Sequence, residues 1–329
     1  MKGPLRVAVI GCGTVATRQH IPGYRALPTG TVDLTVFSSR SPEAGRAASA
    51  AWGSGETVAD WREAVARDDV DAVDICLPNS LHAEAALAAI RAGKHVMVEK
   101  PIATTLEDAD AMVAAADERG TVLMTASNAR YAPGIQAAAE AVRTGLIGDV
   151  TGVESWMAHG GPRTWAPAAD WFYDRDLSGG GALVDLGIHA IDNVRFVTGR
   201  EVVDVAAMTS DPRGSVEFNG HLLFRLEGGA PGYLKAAWNA PFGNDRAMTV
   251  WGTEREIVVW RDRAVVRGKD GAEVPVGPAP ARDLYADFVA ACRGVARSGP
   301  SGRDGRAGLA VVLAGYRSAS ERVFVRLGA

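Results

Sequence analysis

Arg6-Val7-Ala8-Val9-Ile10-Gly11-Cys12-Gly13-Thr14-Val15-Ala16 is the stretch whose reading decides the fold. Residues 6–10 are apolar and β-branched after Arg6 and read as a buried strand. Gly11-x-Gly13-x-x-Ala16 follows at once, in the order strand, glycine turn, helix that a dinucleotide-binding unit needs. Gly11 permits the tight turn. Gly13 lets backbone amides approach a pyrophosphate, and Ala16 lets the helix pack close to the sheet. Thr14 and Val15 then fall in the first helical turn, whose free amides face the phosphates. In a chain with 38 glycines the pattern alone is weak, and its place directly after a strand gives it weight. Pro22 is expected to break or kink the helix.

A second strand, residues 32–37, ends in Ser38-Ser39-Arg40. An NAD enzyme carries an acid near this point for the ribose hydroxyl. Two hydroxyls and a guanidinium suit a 2′-phosphate instead, which favours NADP(H) over NAD(H). The same residues also make a polar turn before a helix capped by Ser41 with Pro42 at its first position. Asp60-x-x-Glu63 reads as a capping box. The strand 71–77 runs into Leu77-Pro78-Asn79-Ser80-Leu81-His82. Ser80 is expected to cap the helix 82–92, with Asn79 and His82 at the ligand edge. The strand 95–99 ends in Val98-Glu99-Lys100-Pro101. Alone, Glu99-Lys100 would read as a surface pair, but the carboxyl ends of parallel strands are where open α/β sheets bind ligands. Thr104-x-x-Glu107 is a second capping box, and residues 122–125 form another strand. The alternation predicts an α/β protein whose residues 1–126 form a Rossmann fold, a doubly wound parallel sheet.

Residues 127–329 read as a second domain for substrate and oligomer contacts. Tyr131-Ala132-Pro133 opens a helix to about residue 144, and 150–157 is a strand. Residues 158–178 lack periodicity but carry His159, Arg163, Trp165, Trp171, Tyr173 and Arg175. Long irregular loops are commonly functional, and aromatic density argues against disorder. Arg130, Tyr131, Trp165, Trp171 and Tyr173 are candidate substrate contacts; equally, the tryptophans serve to anchor the loop. Gly179-Gly180-Gly181 precedes a helix over 182–197 in which Asp185 and His189, four apart, share a face among apolar neighbours. The pair reads either as a stabilising hydrogen bond or as a proton carrier with its orienting acid. Strands follow at 202–208, 218–226, 233–238, 248–251, 257–260 and 264–267, predicting an open, mostly antiparallel sheet in an α/β domain. Helices over 283–296 and 304–322 close the chain.

With 329 residues the chain exceeds one comfortable core. Its 47% apolar and 22% charged content is that of a globular protein. A net charge of -4 with scattered basic residues gives no nucleic-acid surface. Residues 1–4 leave no room for a signal peptide, and the apolar run 307–316 is too short to span a membrane. Cys12, Cys76 and Cys292 suggest neither disulfides nor zinc, so a cytoplasmic location is expected. The six histidines show no metal-binding spacing, and no metal is expected.

Gly11-x-Gly13-x-x-Ala16, Pro78-Asn79-x-x-His82, Glu99-Lys100-Pro101 and Gly179-Gly180-Gly181-x-x-x-Asp185-x-x-x-His189 together resemble the Gfo/Idh/MocA family of nicotinamide-dependent oxidoreductases, over essentially the whole chain. The resemblance implies that Lys100 lies beside the nicotinamide and the reacting carbinol, with Asp185 and His189 completing the catalytic group. It implies a cofactor surround that includes Leu77, Pro78, Asn79, His82, Glu99 and Lys100, and a Lys100–Pro101 bond that is cis in many members. The implied substrate is a sugar, sugar derivative or cyclitol. The implied assembly is a homodimer or homotetramer through the second-domain sheet. Two other readings stand beside the dehydrogenase. One is a non-catalytic cofactor-binding regulator, against which Lys100, Asp185 and His189 argue. The other is a hydrolase that uses bound NAD(P) for a transient oxidation.

Overall fold

The structure, a computed structural model, describes residues 3–210, 214–240, 246–296 and 299–328. Contacts divide the chain into two units, residues 1–126 with 282–306, and residues 127–281 with 307–329.

In the first unit six strands form one sheet: β1 Leu5–Ile10, β2 Val32–Ser38, β3 Glu56–Val58, β4 Ala72–Ile75, β5 His95–Val98 and β6 Leu123–Thr125. Their order is β3-β2-β1-β4-β5-β6, and every pairing is parallel. The chain starts at the centre and winds outward in both directions. The order therefore reverses between β1 and β4, and a crevice opens at the strand ends there. Leu5, Val7, Ala8, Val9 and Ile10 are fully buried, which explains the unbroken apolar run.

Local chemistry sets the helices. Ser41 caps Pro42–Trp52 through a bond from Ala44 N. The cap of Leu106–Arg119 is Thr105, one residue later than expected, accepting from Asp108 N. Ser80 caps nothing. The helical path already begins at Asn79, so the extended cap position falls on Pro78, which has no side-chain acceptor. Directly ahead of Pro22 the helix departs from the regular α pattern. Residues Ala16–His20 widen into a π-turn, Ile21 N reaching back to Ala16 O, and an α-helix resumes over Ile21–Arg25. The wider turn accommodates a ring that lacks an N–H and crowds the preceding turn. The helix Leu284–Cys292, read from sequence as part of the second domain, clusters with the first unit. Its Tyr285 lies 4.8 Å from Tyr24, ring to ring.

Among the described residues the second unit holds nine strands: β7 Val150–Ala158, β8 Val202–Thr209, β9 Asn219–Leu226, β10 Pro231–Ala237, β11 Arg246–Gly252, β12 Glu256–Trp260, β13 Ala264–Arg267, β14 Glu273–Pro275 and β15 Val325–Arg326. The order is β14-β13-β12-β11-β7-β10-β9-β8-β15. All pairings are antiparallel except β7 with β10. On β9 the side chains of Leu222, Phe224 and Leu226 are buried, while Leu223 and Arg225 between them are exposed. One face of the sheet is thus core and the other is open. The helices Pro133–Arg143 and Ile188–Thr198 belong to the buried side. Gly134 lies so close to the carbonyls of Trp260 and Arg263 that no side chain fits there.

Candidate functional site

The glycine turn of the first unit has the shape of a phosphate cradle. Gly11 has φ +95°, and a Cβ there would stand 2.5 Å from Cys76 O. Only glycine fits. Gly13 differs, since it is exposed and a Cβ there would meet nothing within 4 Å. Protein packing therefore does not demand glycine at 13, whereas backbone approach to a phosphate does. Helix begins at Thr14 and presents its first amides on the same side. Gly11 N and Cys12 Sγ both donate to Ser38 O, which ties the turn to the end of β2. There Ser39 is half-buried, and its Oγ accepts from Ser41 N. Arg40 is exposed and bonds to none of the described side chains. These residues fit a dinucleotide.

The next two motifs face partly inward. His82 is fully buried. Its Nδ1 lies 2.8 Å from Pro101 O and its Nε2 2.8 Å from Leu77 O. Burial lowers its pKa, against the pull of the two carbonyls. His82 therefore lies between the loop after β4 and the loop after β5, and its neutral ring donates to one of the two carbonyls while only approaching the other. Leu77 and Pro78 are half-buried and Asn79 is buried. Glu99 is buried as well, and its Oε2 accepts from Lys100 N at 3.1 Å. Lys100 itself is half-buried, and the Lys100–Pro101 bond is cis.

In the second unit Asp185 sits in a π-turn, Leu183–Gly187, that runs directly into the helix Ile188–Thr198. Such turns recur at functional sites. A buried carboxylate, Glu217, holds the start of the turn. It accepts from Gly181 N at 3.0 Å, Leu183 N at 2.9 Å and the Tyr316 hydroxyl at 2.8 Å. The glycine run follows from this crowding, because a Cβ at Gly180 would strike Tyr316 and one at Gly181 would strike the Glu217 backbone. Asp185 is 5% exposed. Its Oδ2 accepts from Trp238 Nε1 at 2.8 Å, and His159 Nε2 lies 3.6 Å from the same oxygen. His159 Nδ1 accepts from Gly161 N, so a neutral ring carries its proton on Nε2, toward Asp185. His189, one turn beyond, is half-exposed. The result is a fixed carboxylate on the same short helical path as a reachable imidazole, an arrangement suited to proton transfer.

The irregular loop is organised by its own rings. Trp171 stacks on Phe172 with centroids 3.9 Å apart, and Trp165 meets Phe172 edge-on at 5.4 Å. Tyr173 packs on Trp238 at 5.4 Å, under the Arg163 guanidinium. Trp165, Trp171 and Tyr173 anchor the loop yet stay half-exposed, as does Tyr131. Arg130 is different. It is buried in a two-pronged ion pair with Asp192, Nε to Oδ2 at 2.9 Å, and its guanidinium lies over Phe196. The arginine braces the unit's interior.

Sequence reasoning missed His20, Asp74, Glu217, Trp238 and Tyr316. Each comes from an element remote in sequence from the group it touches, so no spacing announces it. His20, Asp74 and Cys76 bring a ring nitrogen, a carboxylate oxygen and a sulfur within 4.8 Å of one another. His20 Nδ1 stands 2.8 Å from Asp74 Oδ2, which is a hydrogen-bond distance with a proton between.

Residues 5–127 match the family model described as an oxidoreductase family with an NAD-binding Rossmann fold. Residues 135–258 match that of the GFO/IDH/MocA C-terminal domain. The chain is 33% identical over 332 residues to 1,5-anhydro-D-fructose reductase of Ensifer adhaerens, with 96% of each covered. It is 30% identical over 286 residues to an NADP(+) D-xylose 1-dehydrogenase of Haloarcula marismortui, covering 83% of this chain and 78% of that one. Among solved structures it resembles levoglucosan dehydrogenase in complex with NADH and levoglucosan, with a TM-score of 0.88 and 28% identity over 99% of this chain and 100% of that one. The protein is thus an NAD(P)-dependent oxidoreductase acting on a CH–OH group. The chain belongs to the Gfo/Idh/MocA family.

Proposed function

We propose that this oxidoreductase interconverts a ring carbinol and ketone of a sugar, sugar derivative or cyclitol, with NADP(H) favoured over NAD(H). Relatives named for anhydrofructose, xylose and levoglucosan support the substrate class. Bound nicotinamide supplies or accepts the hydride. His189 exchanges a proton with the substrate oxygen. Lys100 brings positive charge to that oxygen and lowers the cost of alkoxide character. Asp185 orients and polarises His189. Trp165, Trp171 and Tyr173 offer ring faces and edges to the sugar. Arg40, with Ser39, binds the 2′-phosphate.

The observation that carries the reading is the clasped Asp185, oriented by Trp238 at 2.8 Å on the π-turn that leads to His189. Free Cys12, Cys76 and Cys292 suit a reducing cytoplasm. No helix among the described residues is long and apolar enough to cross a membrane. A panel of sugars and cyclitols, followed at 340 nm with each nicotinamide, tests the proposal. Turnover with at least one sugar and NADP(H) is expected. Glycoside cleavage without net absorbance change would transfer the site to the hydrolase reading.

A further inference from the structure

Beneath the Glu99-Lys100 corner lies a charged cluster in which His20 and Asp74, outside every quoted motif and every step of the proposed chemistry, meet Glu99. His20 is 1% exposed, Asp74 is fully buried and Glu99 is 9% exposed. The imidazole is held at both ends, Nδ1 at 2.8 Å from Asp74 Oδ2 and Nε2 at 2.9 Å from Glu99 Oε1. Three sequence-distant elements meet here: the π-turn after the glycine turn, β4, and the corner after β5. The other groups facing the ring are Cys76, its Sγ 3.5 Å from Nδ1, and Tyr285, 5.5 Å away edge-on. Tyr24 packs on Tyr285 behind it. Gly23 is a requirement of this packing, because any Cβ there would collide with the Tyr285 ring.

A neutral imidazole has one donor, and two carboxylates present only acceptors. Both short contacts become hydrogen bonds when the ring carries two protons. An imidazolium also supplies the charge without which two buried carboxylates would face each other uncompensated. Burial opposes the charged ring, but Asp74 and its neighbours raise the His20 pKa well above its ordinary value. The chain continues outward. Glu99 spends its second oxygen on Lys100 N at 3.1 Å, the last backbone amide before Pro101.

We propose that His20 is a positioning residue: as an imidazolium it clamps Glu99 against Asp74, and the clamped Glu99 fixes the main chain from which Lys100 projects. This role for Lys100 rests on the function proposed above, whereas the clamp itself does not. Removing His20 takes the cation from between Glu99 and Asp74, so that one carboxylate takes up a proton or the two part, and in either case the Lys100 amide loses its fixed acceptor.

Two measurements decide the clamp without any turnover. In ¹⁵N spectra, His20 of the wild-type protein should show both ring nitrogens protonated at pH 7.5. In hydrogen exchange, the Lys100 amide should exchange at least tenfold faster in His20→Asn and in Glu99→Ala, while amides of β1 keep their protection. Glu99→Gln, which keeps an acceptor oxygen, should restore slow exchange at Lys100. A neutral His20 ring overturns the proposal, and so does unchanged Lys100 exchange in a folded Glu99→Ala. With a sugar substrate, His20→Asn should lower kcat roughly tenfold or more with little change in KM, the pattern of a lost transition-state contact. Its pH profile should gain a limb that His20→Asn with Glu99→Gln lacks, since one carboxylate then remains. Fast Lys100 exchange in a protein that turns over no sugar supports the clamp and counts against the proposed function alone.

Discussion

At the scale of single residues, the assignments separate into groups that reach solvent and groups that hold them. His189 is half-exposed and Asp185 is buried on a Trp238 hydrogen bond. His189→Ala should therefore lower kcat by roughly a hundredfold to ten-thousandfold, the usual worth of acid–base catalysis. NADPH affinity by fluorescence titration should stay within about twofold, because His189 lies outside the unit that carries the glycine turn. Full turnover in the folded variant would remove His189 from the mechanism. On the proposed reading, cofactor choice turns on Ser39 and Arg40. A charge-assisted bond to the 2′-phosphate contributes roughly 1.5–3 kcal/mol, or about tenfold to a hundredfold in affinity. Titration of wild type and of Ser39→Asp with Arg40→Ala should show that preference and its reversal, and equal affinities in wild type would refute it. His20 carries a pH signature with a definite sign. Its folded pKa is raised above the unfolded value of about 6.5. The stabilisation is then complete below about pH 6.5 and lost as pH rises through the folded pKa. Urea unfolding should show wild type exceeding His20→Asn by most near pH 6, with the gap closing in alkali.

At the scale of elements, the sequence showed much of what depends on local pattern, although the caps expected at Thr104 and Ser80 lie elsewhere. The apolar run 6–10, the glycine turn and the Ser41 cap are local, and the structure places them as read. The helix around Asp185 was legible as a helix but not as a π-turn, because the widening depends on Ile188 N reaching Leu183 O and on Glu217 receiving the amides before it. Glu217 is 36 residues from Gly181 and gives no periodic signal. Likewise β14 and β15, at 3 and 2 residues, are too short to show alternation. The pairing of Arg130, a candidate substrate contact, with Asp192 was not legible, because the two are 62 residues apart. The buried cap at Glu217 makes its own prediction. Glu217→Ala leaves the Leu183 amide and the Tyr316 hydroxyl without their acceptor, at roughly 1–3 kcal/mol each. The variant should unfold at clearly lower urea and lose turnover as Asp185 shifts. Glu217→Gln should recover most of both. Wild-type stability and kcat in Glu217→Ala would show that the π-turn needs no cap.

At the scale of the whole molecule, the second-unit sheet offers a surface that one chain does not use. Register places Trp156, Lys235, His221 and Met208 in one row across β7, β10, β9 and β8, with Glu154, Tyr233, Leu223 and Ala206 in the next. Met208 is 74% exposed, Leu223 56% and Trp156 41%. Single exposed apolar residues are ordinary, but three large ones on one face of the same four strands give that face apolar surface to offer a partner copy. The His221 ring meets the Tyr233 hydroxyl at 2.5 Å, so even the polar members of the face are locally organised. A sheet face repeated on a second copy is self-complementary under twofold symmetry, which suits a homodimer or a homotetramer built from one. Light scattering on the purified protein should give a mass of at least two chains. Leu223→Glu with Met208→Glu places like charges across the twofold and should shift the mass toward one chain. Both positions lie on the exposed face, so the fold itself should survive by circular dichroism. A monomeric wild type at micromolar concentration, or an assembly unmoved by the two glutamates, would leave this face without its partner copy.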